Sequence, residues 1–163
     1  MSQPIPARLA VFGLLCAALL STAARADDEH EGQRGRRVPL LPKYQQECAA
    51  CHIAYPPGML PAASWQKLMN TLPRHYGSDA SLDAASVKEL SGWLTANAGT
   101  DKRAVAAPPE NRITRSTWFV REHDEVPAAA WKRAAVKSAS NCSACHTQAA
   151  QGDFNEHNVR IPR

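Results

Sequence analysis

The sequence has few aromatic side chains, no strong excess of charge of either sign and no long apolar run beyond its N-terminal segment. Its 163 residues are 6% aromatic and 21% charged, with a formal net charge of +4 at pH 7. No later stretch approaches the roughly 18 apolar residues of a membrane-spanning helix. A near-neutral chain gives no electrostatic reason to expect a nucleic-acid partner. The apolar content of 44% argues against wholesale disorder.

Residues 1–26 have the pattern of a secretory signal peptide. Arg8 provides a sparse positive region, residues 9–20 form an apolar core, and residues 24–26 form an Ala-x-Ala cleavage site. The apolar run, which contains Cys16, is too short for a stable membrane anchor. We therefore expect cleavage after Ala26 and export to the periplasm of a chain that begins at Asp27 and carries 17 basic and 15 acidic side chains.

Four cysteines remain after the signal peptide, and all of them lie in two copies of one motif. C-x-x-C-H occurs at residues 48–52 and at residues 142–146, and it is the attachment signature of c-type haem. Two thiols one helical turn apart can each add to a vinyl group on one porphyrin edge, and the histidine that follows can bind iron beneath the ring. The sequence thus predicts two covalently attached haem c groups. Their thioether cysteines and proximal histidines are Cys48, Cys51 and His52 for the first and Cys142, Cys145 and His146 for the second.

Two other chemistries use C-x-x-C pairs. An exported pair can form a redox disulfide of the thioredoxin type, and two such pairs can hold zinc. Neither chemistry requires a histidine directly after the second cysteine in both copies. The haem interpretation is favoured because it accounts for that histidine and leaves no cysteine over.

Methionine, one of the axial ligands that c-type haem uses, is scarce in this chain. After Met1 only Met59 and Met69 remain. Met59 follows His52 so closely that little chain is left to reach the opposite face of the ring. Met69 lies on the apolar stripe of a predicted helix, where core packing is the simpler interpretation. Histidine is therefore the better candidate for the second axial position.

The first iron has one histidine candidate for that position. His75 lies between Pro73 and Gly77 in a constrained loop downstream of His52. The chain between the two histidines includes a predicted helix and is ample to reach the opposite face. We expect His75 to bind the first iron, and the alternative is a solvated loop histidine.

The second iron has two candidates, one on each side of its motif. His123 precedes His146 by the same separation that lies between His52 and His75, in reverse order. It follows an apolar stretch at residues 118–120 that could line a haem face. We expect His123 to be the ligand, with the downstream His157 as the second candidate; a surface position is the alternative for His123.

One further histidine has no expected role. His30 falls in a charged tail, residues 27–37, that we expect to be disordered.

Apolar periodicity and capping residues predict a mainly α-helical chain. In the first half we expect a helix from Lys43 into the first motif, a helix that begins at residues 61–64, and a third that is capped by Ser81 or Asp83 and ends at residues 97–99. The second helix carries the apolar stripe Trp65, Leu68, Met69 and Leu72.

In the second half, residues 113–121 are predicted to be extended. Pro127 is predicted to open a helix that passes Trp131 and ends at Ala135 or Ser138, and a last helical turn is predicted to end near Gly152. Residues 113–163 are too few to bury an apolar core of their own, so we expect the second haem to provide it. The predicted organisation is a signal peptide (1–26), a charged flexible tail (27–37), an N-terminal haem domain (38–99), a linker (100–112) and a C-terminal haem domain (113–163).

Three segments make the sequence resemble the small bacterial dihaem cytochrome c (DHC) family: residues 72–82, 115–123 and 141–146, the last followed by Gly-Asp-Phe at 152–154. The resemblance spans nearly the whole chain after the signal peptide. It implies an N-terminal domain similar to class I cytochrome c and a small C-terminal segment wrapped around the second covalent haem. It also implies histidine on both sides of each iron, in agreement with His75 and His123.

Family members are thought to pass electrons to a small oxygen-binding monohaem cytochrome or to exchange them with membrane b-type cytochromes, and the resemblance implies such partners here. Iron with two histidines has no open site, so we expect a low-potential electron carrier and not an enzyme. We also expect a monomer. The competing hypothesis is a dihaem peroxidase or ligand-sensing protein with an open second iron, in which Glu122, Asp124 or Glu125 would serve as acid–base groups.

Overall fold

A computed structural model describes residues 38–102 and 104–163. The predicted signal peptide, its cleavage site and the charged tail with His30 lie outside the described residues. Within the described part, five short α-helices are joined by turns, and no strand forms. The helices are α1 (Pro42–Cys48), α2 (Ala62–Met69), α3 (Ala84–Ala96), α4 (Thr117–Glu122) and α5 (Ala128–Trp131). Single 3-10 turns occupy Pro57–Met59, Leu72–Arg74, Pro109–Asn111, Ile113–Arg115, Cys142–Ala144, Ala149–Gln151 and Glu156–Asn158.

The structure confirms the mainly α-helical class expected from the sequence, whereas the class I-like N-terminal domain and the C-terminal segment wrapped around the second haem stay a prediction. Helix α1 begins at Pro42, where a missing N–H is no loss, and it ends at Cys48. Helix α3 is capped by Asp83, whose carboxylate accepts a 2.9 Å hydrogen bond from the Ser86 N–H. None of the helices among the described residues has the length and apolar character needed to cross a membrane.

Helix α2 is shorter than its apolar stripe predicts. It ends at Met69, and Leu72 lies instead in the following 3-10 turn. Pro73 has no N–H and disfavours helical backbone at the residue before it, so the helix cannot continue through this point. Leu72 nevertheless remains buried, because the turn folds back onto the core.

One apolar core lies in the first half of the described chain, where α2 packs against α3. Trp65 is fixed in it by a 2.7 Å hydrogen bond from its indole N–H to the Pro57 carbonyl. Lys43 and Glu89 form a partly exposed 3.3 Å ion pair between α1 and α3, which adds little stability. The buried members of the core are Tyr44, Ala54, Leu60, Trp65, Met69, Leu72, Leu90 and Leu94.

Gly99 closes this core where the chain leaves α3. Its N–H donates a 2.9 Å hydrogen bond to the Leu60 carbonyl. A Cβ at position 99 would overlap the Ala104 methyl group and the Gly58 carbonyl oxygen. Only glycine therefore permits this close approach.

The prediction that residues 113–121 are extended is wrong. The structure has a 3-10 turn (Ile113–Arg115) followed by α4. Ser116 directs the change, because its hydroxyl donates to the Ile113 carbonyl at 2.7 Å and accepts from the Phe119 N–H at 3.2 Å. This is a helix N-cap, which local capping chemistry favours over an extended backbone.

Helix α5 also differs from the prediction, since it ends at Trp131 and does not reach Ala135. At its end the hydrogen bonds are of the tighter 3-10 type. The Lys132 N–H donates to the Ala129 carbonyl and the Arg133 N–H to the Ala130 carbonyl. The turn expected to end near Gly152 is present at Ala149–Gln151, but it is not the last one, since a further 3-10 turn follows at Glu156–Asn158.

The second half buries little apolar surface among the described residues. Its final segment runs back beside the second motif, where the Arg160 N–H donates to the Cys145 carbonyl at 2.8 Å and the Thr147 N–H to the Asn158 carbonyl at 3.2 Å. All described residues fall in one compact unit. The boundaries proposed within it stay a prediction. The buried apolar side chains after residue 112 are Phe119, Ala130, Val136 and Ala149.

Candidate haem centres

The first motif begins on a helix and ends in a turn. Cys48 is the last residue of α1, and the exposed Cys51 follows one turn later. The ring of His52 is oriented by its Nδ1, which lies 2.6 Å from the Ile53 carbonyl oxygen. A carbonyl can only accept, so Nδ1 carries the proton and Nε2 is the nitrogen left to bind a metal.

His52 and His75 face each other across a gap of the right size for one metal ion. Their ring centroids lie 6.2 Å apart, with 28° between the ring planes. A metal–imidazole bond of about 2 Å on each side, with each ring centre about 1 Å behind its nitrogen, gives a centroid separation of about 6 Å. The pair therefore fits as two axial ligands of one iron.

A second pair of histidines has nearly the same separation. His123, which follows α4, and His146, which follows the Cys142–Ala144 turn, have ring centroids 6.0 Å apart and ring planes at 68°. The Nδ1 of His123 lies 2.9 Å from the Phe119 carbonyl oxygen, so its Nε2 is again left for a metal.

The Nδ1 of His146 is buried and forms no hydrogen bond. Buried polar atoms in proteins are nearly always paired. Unlike the Nδ1 atoms of His52 and His123, this nitrogen has no backbone carbonyl that orients its ring. A cavity of about 300 Å³ adjoins the facing His123. It is lined by Phe119, Val120, His123, Asp124, Trp131 and Ala139.

Burial and neighbouring charge lower the pKa of two of the facing histidines, His75 and His146. Burial lowers the pKa of His75, and His52 and Arg112 lower it further. Burial and the neighbouring His123 likewise lower the pKa of His146. Neutral imidazole is the form that binds a metal, so both shifts favour ligation.

The first cysteine of each motif lacks the lowered pKa of a redox-active thiol. Burial raises the pKa of Cys48 to about 11 and that of Cys142 to about 11. Redox-active C-x-x-C motifs need the opposite shift, because the thiolate is the reactive form. In residues 38–102 and 104–163, no three His, Cys, Asp or Glu side chains converge as ligands of a bare metal ion.

Aromatic rings stack directly on two of these histidines, whereas the sequence indicated only an apolar wall at residues 118–120. Tyr55 stacks on His52 at 4.8 Å and 21°, and Phe119 stacks on His123 at 4.0 Å and 19°. Phe119 and His123 are four positions apart at α4, a spacing that a helix prediction would have revealed. Further ring contacts join Tyr76 to His75, Trp131 to His123 and Phe154 to His146.

The other candidate ligands lie elsewhere. His157 is exposed, and its backbone N–H donates to the Asn155 side chain at 2.9 Å. Met69 is 6% exposed and packs in the apolar core, as its position on the stripe predicts. Met59 is half-buried in the Pro57–Met59 turn.

Comparison with known proteins decides which family uses this arrangement. The family model for dihaem cytochrome c matches residues 44–154. The chain belongs to the dihaem cytochrome c family. Family membership means two covalently attached haem c groups, and the two facing histidine pairs, each beside a C-x-x-C-H motif, fit that number.

Solved structures of dihaem cytochromes c share the fold. The diheme cytochrome c of Shewanella baltica OS155 is 35% identical with a TM-score of 0.67, over 77% of this chain and 95% of that one. The crystal structure of DHC from Rhodobacter sphaeroides is 46% identical with a TM-score of 0.62, over 72% and 99%. A further structure of diheme cytochrome c from Rhodobacter sphaeroides is 43% identical with a TM-score of 0.64, over 73% and 100%. No curated protein sequence matches the chain.

Proposed function

We propose that this dihaem cytochrome c is a low-potential electron-transfer relay with two histidines on each iron. The first haem is held by Cys48 and Cys51 and ligated by His52 and His75. The second is held through its own motif, with His123 completing the ligation. Its cysteines and proximal histidine are Cys142, Cys145 and His146.

The observation that carries this proposal is the spacing of the two imidazole pairs, 6.2 Å and 6.0 Å between ring centroids. Two pairs from four different segments meet at the separation that one iron requires. With both axial positions filled by protein, neither iron has a site for oxygen, peroxide or another small ligand. Each haem then supplies one-electron Fe(III)/Fe(II) chemistry, and the chain stores at most one electron per centre.

The ligand set favours a low reduction potential. Axial methionine raises the potential of c-type haem, whereas a second imidazole does not. Met69 is 6% exposed in the apolar core, so it could bind either iron only by leaving that packing. The backbone carbonyls that accept from the Nδ1 atoms of His52 and His123 strengthen imidazole as a donor, which stabilises the ferric state further.

We propose that the relay operates in the periplasm after signal-peptide cleavage behind Ala26. Its partners would be redox proteins, either a small oxygen-binding monohaem cytochrome or a membrane b-type cytochrome. The near balance of 17 basic and 15 acidic side chains after cleavage favours local charge patches over long-range attraction in partner docking.

Carbon monoxide added to the fully reduced protein, followed by absorption, tests the closed coordination. We expect no rapid spectral change, because each iron must first lose a histidine before it can bind the ligand. A rapid change in one of the two haems would contradict the relay and support a peroxidase or ligand-sensing protein with an open iron. A redox titration in the same cuvette is expected to show two low-potential one-electron steps.

A further inference from the structure

Tyr55 joins two segments that lie 85 positions apart in the chain. Its ring stacks on His52, with centroids 4.8 Å apart and 21° between the planes. Its hydroxyl donates a 2.7 Å hydrogen bond to the Ser140 carbonyl. One side chain therefore contacts a candidate ligand of the first haem and the chain directly before the second haem motif.

The Ser140 carbonyl lies at the entrance to the second motif. It is 3.7 Å from the Sγ atom of Cys142, which donates to it as a free thiol. Once Cys142 forms a thioether it has no S–H to donate, and the Tyr55 hydroxyl is the side-chain donor that still holds this carbonyl. The segment around it is a tight turn, with the hydroxyls of Ser138 and Ser140 2.8 Å apart and the Asn141 N–H donating to the Ser138 carbonyl at 3.0 Å.

Tyr55 is itself held by the apolar core. The hydroxyl of Tyr44, a residue only 2% exposed on α1, donates a 2.9 Å hydrogen bond to the Tyr55 carbonyl. The Tyr44 ring lies 5.2 Å from the ring of Trp93 on α3. An unbroken series of contacts thus runs from the helical core through two tyrosines to the second motif.

We propose that Tyr55 is the positioning residue that fixes the second haem centre relative to the first. Its ring is placed by His52 and the core, and its hydroxyl places the turn at residues 138–142 and hence the first thioether of the second haem. The distance between the two irons, on which any electron exchange between them depends, is set in part by this one phenol. This inference rests on the proposed two-haem relay for its significance but not for its test.

Tyr55→Phe isolates the hydroxyl, because it keeps the ring on His52 and removes the donor to Ser140. Hydrogen exchange of the holoprotein is expected to accelerate about fivefold at amides in residues 138–146, which corresponds to the loss of one ordinary hydrogen bond. The dipolar coupling between the two oxidised irons, measured by EPR, is expected to show a wider spread because the second centre is less firmly placed.

Tyr76→Phe is the matched control. The Tyr76 hydroxyl also donates to a backbone carbonyl, that of Glu110 at 2.9 Å, and its ring also contacts a histidine of the first centre. It does not reach the second motif, so neither measurement should change. Tyr55→Leu removes the ring as well as the hydroxyl, and it should additionally alter the EPR signal of the first centre, which Tyr55→Phe retains.

Unchanged exchange at residues 138–146 in Tyr55→Phe overturns the proposal. An unchanged spread of the dipolar coupling also overturns it, since Tyr55 would then contribute packing alone. Wild-type protein with an open iron would defeat the relay instead, and it would do so without altering the exchange result. The two failures are therefore distinguishable.

Discussion

His75 and His123 reach their facing partners by different kinds of backbone. His75 stands before a tight turn in which Tyr76 and Gly77 have φ angles of +52° and +97°, and its carbonyl accepts from the Ser78 N–H at 3.0 Å. Glycine relieves the strain of a positive φ only at the second of these two positions. His123 instead follows the last residue of α4, where its Nδ1 can reach back to the Phe119 carbonyl.

Replacement of either distal histidine is expected to open one iron. In His123→Ala the second haem loses an axial ligand, so carbon monoxide should bind to about half of the reduced haem and a high-spin ferric signal should appear. In His75→Ala, carbon monoxide should again bind to about half of the reduced haem, now at the first centre. Absorption and EPR spectra measure both effects.

His157→Ala is the control for this pair, because His157 is the other candidate and is exposed. Its spectra should match those of the wild type in both oxidation states. Carbon monoxide binding in His157→Ala, with none in His123→Ala, would reverse the assignment of the second ligand.

Spacing in the sequence was sufficient to predict His75 and His123 as candidate axial ligands, since each lies equally far from the histidine of its own motif. It could not reveal Tyr55. The contact with Ser140 joins segments too far apart for any local pattern, and it exists only once the two halves have packed. Side-chain stacking beside a candidate ligand likewise depends on tertiary placement and not on residue type alone.

At the scale of secondary structure, the N-cap of α4 links stability to the second centre. Ser116→Ala removes the hydroxyl that accepts from the Phe119 N–H, and we expect the free energy of unfolding to fall by about 1 kcal/mol. Because His123 follows this helix, the EPR signal of the second haem should broaden as well. Chemical denaturation and EPR of the holoprotein measure the two effects.

Asp83→Ala removes the N-cap of α3, which carries no candidate ligand, and so provides the comparison. It should lower stability without a change in either haem signal. A normal second-haem signal in Ser116→Ala would show that α4 does not position His123.

Replacement by alanine is expected to change the unfolding free energy in opposite directions at two glycines of the first half. Gly99→Ala introduces a methyl group that overlaps Ala104 and Gly58, and we expect a loss of about 1–3 kcal/mol in unfolding free energy. Gly92→Ala lies in α3 with open space around it and should stabilise the helix by about 0.5–1 kcal/mol. Equal effects in denaturant titrations would contradict the packing of Gly99.

The helices of the first half follow from periodicity and caps because apolar residues there recur at helical spacing against a conventional core. The second half departs from prediction at residues 113–121 and at the end of α5. Its described residues form short turns around the facing imidazoles. Few of its apolar side chains pack in a core, so their spacing in the sequence predicts little of the secondary structure. Ser116 did carry a local signal, since serine just before Thr117 and Trp118 is a typical N-cap.

On the scale of the whole molecule, the two halves should depend on haem to different degrees. The described core cluster is drawn from residues 44–94, whereas few apolar side chains after residue 112 are buried. A double variant, Cys142→Ala with Cys145→Ala, should carry the mass of one haem and lose amide protection through residues 113–163. Protection at α2 and α3 should persist, as hydrogen exchange with mass spectrometry can determine.

The reciprocal variant is Cys48→Ala with Cys51→Ala. Its first half should keep more amide protection than the second half keeps in the Cys142 and Cys145 double variant, because α2 and α3 still pack together without haem. A cooperatively unfolding second half in the Cys142 and Cys145 double variant would contradict the idea that haem replaces an apolar core there.

EPR of the fully oxidised protein tests most directly whether both irons are closed by histidine. The account predicts two low-spin ferric signals of equal intensity and no high-spin signal. They should be distinct, because the imidazole planes make 28° at one centre and 68° at the other. A high-spin signal that integrates to one iron per chain, or low-spin iron with the absorption band of a methionine ligand, would contradict it.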